Sequence, residues 1–205
     1  MSDLALALIP GHGPRADRWD PGAVGVNGGI SIEEAERVRV LAERVRLLAV
    51  ERGLPCTIHG TAKQYRQRQA EAVAAHPGKR LVLAHLHLNA GLAGRGSDYG
   101  LVLHDPRSTA GADTARRLVD AIPAAMAAAG QPYLRSQRIV AAARPTWDRA
   151  ANLLEPAWAL PHGHAVLLEP AFLDHPAGVT AVVRSAVIDA LARGIVAGVF
   201  GGSAA

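Results

Sequence analysis

The chain has 205 residues, 49% of them hydrophobic and only 4% aromatic, with 22 Lys+Arg against 18 Asp+Glu and a formal net charge of +4 at neutral pH. That length suits one domain at roughly 150 residues each, the aliphatic content excludes a disordered chain, and so small and scattered a positive charge does not point to nucleic acid. A lone cysteine, Cys56, excludes an internal disulfide and a thiolate zinc finger, so a metal site must draw on carboxylates and the nine histidines.

In chain order, residues 4–9 form an aliphatic run stopped by Pro10-Gly11, which predicts a buried strand feeding a loop. Residues 11–31 are rich in Gly, Pro and Asp and read as one long irregular loop, a length that usually signals function. From 33 to 52 the period changes: Val38, Leu41, Val45 and Leu48 fall on one helical stripe, Ser31 and Glu34 are spaced as a capping box, and Gly53 is the stop. A short strand is predicted over 54–59, a polar helix over 62–75, strands over 80–88 and 98–104, and a helix over 109–129. Residues 131–161 give no clear pattern. A strand over 164–168 and a closing helix over 178–198 complete the chain. The alternation predicts an α/β fold: one domain over residues 1–205, with a twisted, mostly parallel sheet and helices on both faces.

Three features fall at predicted strand ends, where open α/β sheets place their sites. His12 sits in the turn Pro10-Gly11-His12-Gly13, whose glycines let backbone approach a bound ion. Period-two alternation places His85, His87 and Asn89 on one strand face and Leu86 and Leu88 on the other. Two imidazoles on an apolar strand need partners: ordinary hydrogen bonds satisfy them, and so does a metal. Glu169 closes the strand over 164–168, and a carboxylate there is costly unless it is paired, metal-bound or protonated. Together His12, Glu34, His87 and Glu169 have the makings of an open zinc site, with three protein ligands and a carboxylate to take a proton from water.

With these residues the sequence resembles the zinc-dependent N-acetylmuramoyl-L-alanine amidases of bacterial cell-wall turnover and phage lysis, over about residues 4–197. The matching motifs are Pro10-Gly11-His12-Gly13, Asp20-Pro21-Gly22-Ala23-Val24-Gly25, Asn27-Gly28, Glu33-Glu34, His87-Leu88-Asn89-Ala90 and Leu168-Glu169 followed by Phe172-Leu173-Asp174-His175. The resemblance implies His12, a glutamate at the helix start and His87 as ligands of one zinc per chain, and Glu169 as the catalytic carboxylate. Glu33 and Glu34 compete for the second position. Glu34 lies four residues before Val38, on the inward stripe, while Glu33 points about a hundred degrees away, which selects Glu34. His85 stands where the family has Ser, so it is expected to compete for metal or orient substrate, and Asn89 is a second expected substrate contact.

The implied activity is hydrolysis of the amide joining N-acetylmuramic acid to L-alanine in peptidoglycan. Its rivals are a zinc carboxypeptidase or amidohydrolase acting on free peptides, an iron oxygenase with the same ligand types, and a cell-wall binding module without catalysis. No run approaches the ~20 apolar residues of a membrane span, and the N-terminus lacks the pattern of a secretory signal. The expectation is therefore a monomeric catalytic domain without a separate wall-binding domain, made in the cytoplasm and reaching the wall through a lesion opened by a holin-type partner. The alternative is a periplasmic or extracellular autolysin that has lost its signal.

Overall fold

Strands β1 (Leu4–Pro10), β7 (Arg80–Leu86) and β10 (Gly163–Glu169) are aliphatic almost throughout because helices cover both of their faces. The computed structural model describes residues 3–14, 18–27, 30–60, 64–90, 99–131, 136–158, 160, 162–173 and 185–201. With β6 (Cys56–Ile58), β8 (Tyr99–His104) and β9 (Ser136–Ala141), these strands form a six-stranded sheet in the order β6-β1-β7-β10-β8-β9. The first four are parallel to one another; β8 pairs antiparallel to β10, and β9 parallel to β8. The sheet is thus α/β and mostly parallel, as the alternation predicts.

Alternating strand residues feed two cores. Leu6, Leu8, Val82, Ala84, Leu86, Val102, Val166 and Leu168 face the helices α1 (Glu34–Glu51), α3 (Thr109–Ala128) and α5 (Ser185–Phe200). Ala5, Ala7, Ile9, Leu81, Leu83, Leu103 and Leu167 face α2 (Tyr65–Ala75) and α4 (Asp148–Trp158). The stripe Val38, Leu41, Val45 and Leu48 is buried, as its spacing requires. No described helix is long and apolar enough to cross a membrane.

Three expectations change. Residues 11–31 are not one irregular loop: β2 (Gly13–Pro14) pairs with β3 (Trp19–Asp20), and β4 (Val24–Asn27) with β5 (Ile30–Glu33). Ser31 is paired opposite Val26 in the second hairpin, so there is no capping box; the N-cap of α1 is Glu33, without a side-chain cap bond, and the Glu34 carboxylate points elsewhere. Residues 131–161, without legible pattern, hold β9 and α4. As an edge strand β9 is free to mix Gln137 and Arg138 with a half-exposed Ile139, which erases the alternation. Asp174, His175 and the expected helix start at 178–184 lie outside the described residues.

Candidate metal centre

Three strand ends are stitched side by side. Gly11 N donates to Leu86 O at 2.7 Å, His87 N to Leu168 O at 2.8 Å, and Asn89 N to Ala171 O at 2.9 Å. These bonds align the turn after β1, the extension of β7 and the end of β10, and so bring His12, His87 and Glu169 to one edge. Gly11 is required there: a Cβ on it would lie 2.4 Å from Cε1 of the His87 ring. The second hairpin delivers Glu34. Glu34 N and Ala35 N donate to Ala23 O and Pro21 O, which fixes the first turn of α1 against the loop before β4. Gly22, at φ +71°, leaves room for the His12 ring and Glu34 Oε2, each within 2.6 Å of where its Cβ would sit.

Glu34 is only 3% exposed, and both of its oxygens are engaged. Oε2 accepts from Ala23 N at 2.8 Å and lies 3.4 Å from His12 Nε2; Oε1 accepts from Leu88 N at 3.1 Å and lies 2.9 Å from His87 Nδ1. Burial pushes the Glu34 carboxyl up, but the bond to His87, the charges of both imidazoles and the Ala23 N–H together hold it below its ordinary value. It is an anion between two imidazoles, at a helix N-terminus that favours negative charge. Glu33 accepts from Trp19 Nε1 at 2.7 Å; it is the extended N-cap residue that ends β5, so the strand and not the helix phase turns its side chain away from Glu34.

One ligand atom from each of His12, Glu34 and His87 lies within 4.8 Å of the other two, and among the described residues no other group of three His, Cys, Asp or Glu does this. His87 Nε2 is buried without a hydrogen-bond partner. His12 Nδ1 lies 3.1 Å from Asp20 Oδ1, off the line a hydrogen bond needs. Two imidazoles with unfilled ring nitrogens around one buried carboxylate make a nitrogen and oxygen donor set that fits zinc.

Glu169 stands beside this group at the end of β10. Burial raises its carboxyl above the ordinary range, Glu34 adds to the rise, and His87 partly offsets it. Asn89, expected to meet substrate, donates from Nδ2 to Glu169 Oε2 at 2.8 Å, while its own Oδ1 accepts from Ala90 N. His85 departs further from expectation. It is fully buried beneath α2, with Nε2 2.9 Å from Gln69 Nε2, and burial drives its pKa to about 3, so it is a neutral core residue sealed from substrate. Alternation gave its strand face correctly but not the helix that covers that face.

His12, Glu34, His87, Asn89 and Glu169 line a cleft of ≈ 1000 Å³ that is also lined by Pro145–Ala150, Asn152 and Leu153. A smaller groove of ≈ 480 Å³ between α2 and α4 does not include the three candidate ligands. Tyr65 also lines the cleft, and neither it nor residues 145–153 carry a motif in the sequence. An aromatic flanked by Pro145-Thr146 and Asp148 is the one local signal that marks that segment. His59, His104, His162 and His164 do not line the cleft. His104 Nδ1 is 2.9 Å from Asp105 O, and His164 Nε2 is 2.8 Å from Thr114 Oγ1.

No protein-family model matches the chain, and no curated protein sequence does. Solved structures do. The N-acetylmuramoyl-L-alanine amidase AmiC2 of Nostoc punctiforme superposes with a TM-score of 0.68 at 16% identity, covering 97% of this chain and 96% of its own. The N-acetylmuramoyl-L-alanine amidase of Clostridium difficile 630 matches with a TM-score of 0.64 at 18% identity, over 97% and 96% of the two chains. The catalytic domain of an endolysin targeting Clostridia difficile follows at 0.63 and 18%, over 96% of each. The chain has the amidase fold. At these identities the likeness is one of fold, and the chemistry rests on the residues described above.

Proposed function

We propose that this amidase-fold protein is a zinc-dependent hydrolase cleaving the amide between N-acetylmuramic acid and L-alanine in peptidoglycan. The observation that carries the reading is the convergence of His12, Glu34 and His87 on one point beside Glu169, in an open cleft of this fold. His12, Glu34 and His87 would hold the ion, whose part is to polarise a carbonyl and acidify water. Glu169 accepts the proton of the attacking water and returns it to the leaving alanine nitrogen. Burial raises its carboxyl above the ordinary carboxylate range, which makes it a better proton acceptor than an exposed glutamate. Asn89 holds Oε2 and so orients the carboxylate.

Glu169→Ala tests the assignment. The variant should keep its zinc and its fold while release of stem peptides from purified peptidoglycan falls by about two orders of magnitude or more. A wild-type rate would remove Glu169 from the mechanism, and release of single amino acids in place of intact stem peptides would favour a carboxypeptidase.

A further inference from the structure

Helix α2 reaches the metal centre without contributing a candidate ligand. Its first residue, Tyr65, accepts a hydrogen bond on its hydroxyl from the His12 backbone N–H at 3.0 Å. Three residues on, Arg68 donates from Nη1 to Pro10 O at 2.9 Å, and its guanidinium carbon lies 5.1 Å from the centre of the Tyr65 ring. The two side chains, one helical turn apart, therefore stack on each other and grip both ends of the turn Pro10-Gly11-His12.

That turn is where the backbone of the site is least at ease. His12 has φ +58°, a left-handed conformation that disfavours any residue with a Cβ and persists only where its surroundings hold it. In that conformation the His12 N–H leaves the sheet direction, and the group it meets is the Tyr65 hydroxyl. The grip is itself fixed. A capping box joins Gln64 and Gln67 around the start of α2, and Gln69 donates to Leu153 O at 2.6 Å. Arg68 and Gln69 are 3% and 5% exposed, so the anchor is buried rather than a passing surface contact.

We infer that Tyr65 is a positioning residue for the metal centre: its hydroxyl holds His12 in the left-handed turn that presents the imidazole to Glu34 and His87, and thereby sets the affinity for the ion. This rests on the zinc reading above. Groups that orient a metal ligand without touching the metal typically govern affinity by ten- to a hundredfold. Tyr65→Phe tests the effect, because it keeps the ring and its contact with Arg68 and removes the hydroxyl that the His12 N–H meets.

The test is zinc affinity by competition with a chelating indicator, together with the visible absorption spectrum after cobalt loading, for wild type and Tyr65→Phe. The metal-free melting temperature serves as the control for fold. The expected result is a metal-free protein of near-wild-type stability whose zinc affinity falls about tenfold or more and whose cobalt spectrum changes. Unchanged affinity and an unchanged spectrum would overturn the role. Should the variant fold poorly, hydrogen exchange of the His12 amide in metal-free wild type decides the matter: protection supports the bond to Tyr65, and free exchange refutes it. A wild type that takes up no zinc would overturn the metal reading, and this role with it. That outcome is recognisable because it appears before any variant is compared.

Discussion

On the side covered by α1, α3 and α5 the sheet meets Leu41, Val45, Leu118, Ile122 and Leu191, and a buried polar contact there, His164 against Thr114, sits where β10 begins, at the far end from the cleft. On the side covered by α2 and α4 the buried residues include Arg68, Gln69 and His85, next to the turn that carries His12 and the strand that carries His87. Apart from Glu34, which the start of α1 delivers, the two faces of the sheet thus carry different tasks. Apolar burial is non-directional and supplies stability; buried hydrogen bonds are directional and supply position. The α2 side gives up some apolar contact in order to hold the turn at His12.

The comparison breaks if the two faces respond alike to mutation. Leu41→Ala, on the aliphatic side, should cost about 2–5 kcal/mol in chemical denaturation while leaving the zinc affinity of the folded protein unchanged. A large loss of zinc affinity in this variant would mean that the two sides are coupled.

Acid should probe the polar contact on the aliphatic side. Burial, with Arg117 and Arg80 nearby, lowers the pKa of His164 to about 4 from 6.5. Arg117 donates to Thr114 Oγ1, which leaves the Thr114 hydroxyl hydrogen for His164 Nε2 and keeps the ring neutral. Below pH 6.5 the unfolded chain takes a proton that the folded chain refuses, so stability is lost as the pH falls from about 6.5 to about 4, by about 3 kcal/mol at most. His85, held neutral by burial, adds a slope of the same sign, so His164→Gln should reduce the slope by about one proton's worth without abolishing it; a slope equal to wild type would remove His164 from the acid sensitivity.

On the opposite face, Gln69→Leu keeps the volume but strips His85 Nε2 and Leu153 O of their partner. A cost of about 1–3 kcal/mol is expected. Unlike Leu41→Ala, about two turns from Glu34, it should also weaken zinc binding, because Gln69 anchors the turn of α2 that carries Tyr65 and Arg68; equal zinc affinity would sever that link. The smallest effect belongs to the ion pair joining α1 to α5, Arg44 Nε to Asp189 Oδ1 at 2.6 Å. Both side chains are about one-third exposed, so a double-mutant cycle should return below about 1 kcal/mol.

How much of this was legible depended on the range of the interactions. Strands β1, β7 and β10 announce themselves because burial on both faces makes them continuous aliphatic runs, and α1 because its stripe from Val38 to Leu48 repeats through about three turns. Helix phase selects Glu34 over Glu33 in the sequence, although Glu33 is extended backbone before the helix and is turned away by its strand. The hairpins between 13 and 33 were illegible because strands of two to four residues carry no measurable period, and the Ser31 to Glu34 spacing fits a capping box that the pairing of Ser31 with Val26 overrides. His85 was misplaced as a substrate contact because alternation says which side a residue faces, not what lies over it. Tyr65 was missed for a related reason: its bond to His12 spans 53 residues, and nothing local to either residue signals the other.

The central claim is that His12, Glu34 and His87 hold an ion that works with Glu169 on peptidoglycan. The most direct measurement is elemental analysis of the purified protein paired with product analysis of digested peptidoglycan, before and after chelation. One zinc per chain, with intact stem peptides bearing a free N-terminal alanine, lost on chelation and regained on adding zinc, is the predicted result. A well-folded protein that holds no zinc and releases no stem peptide would contradict it.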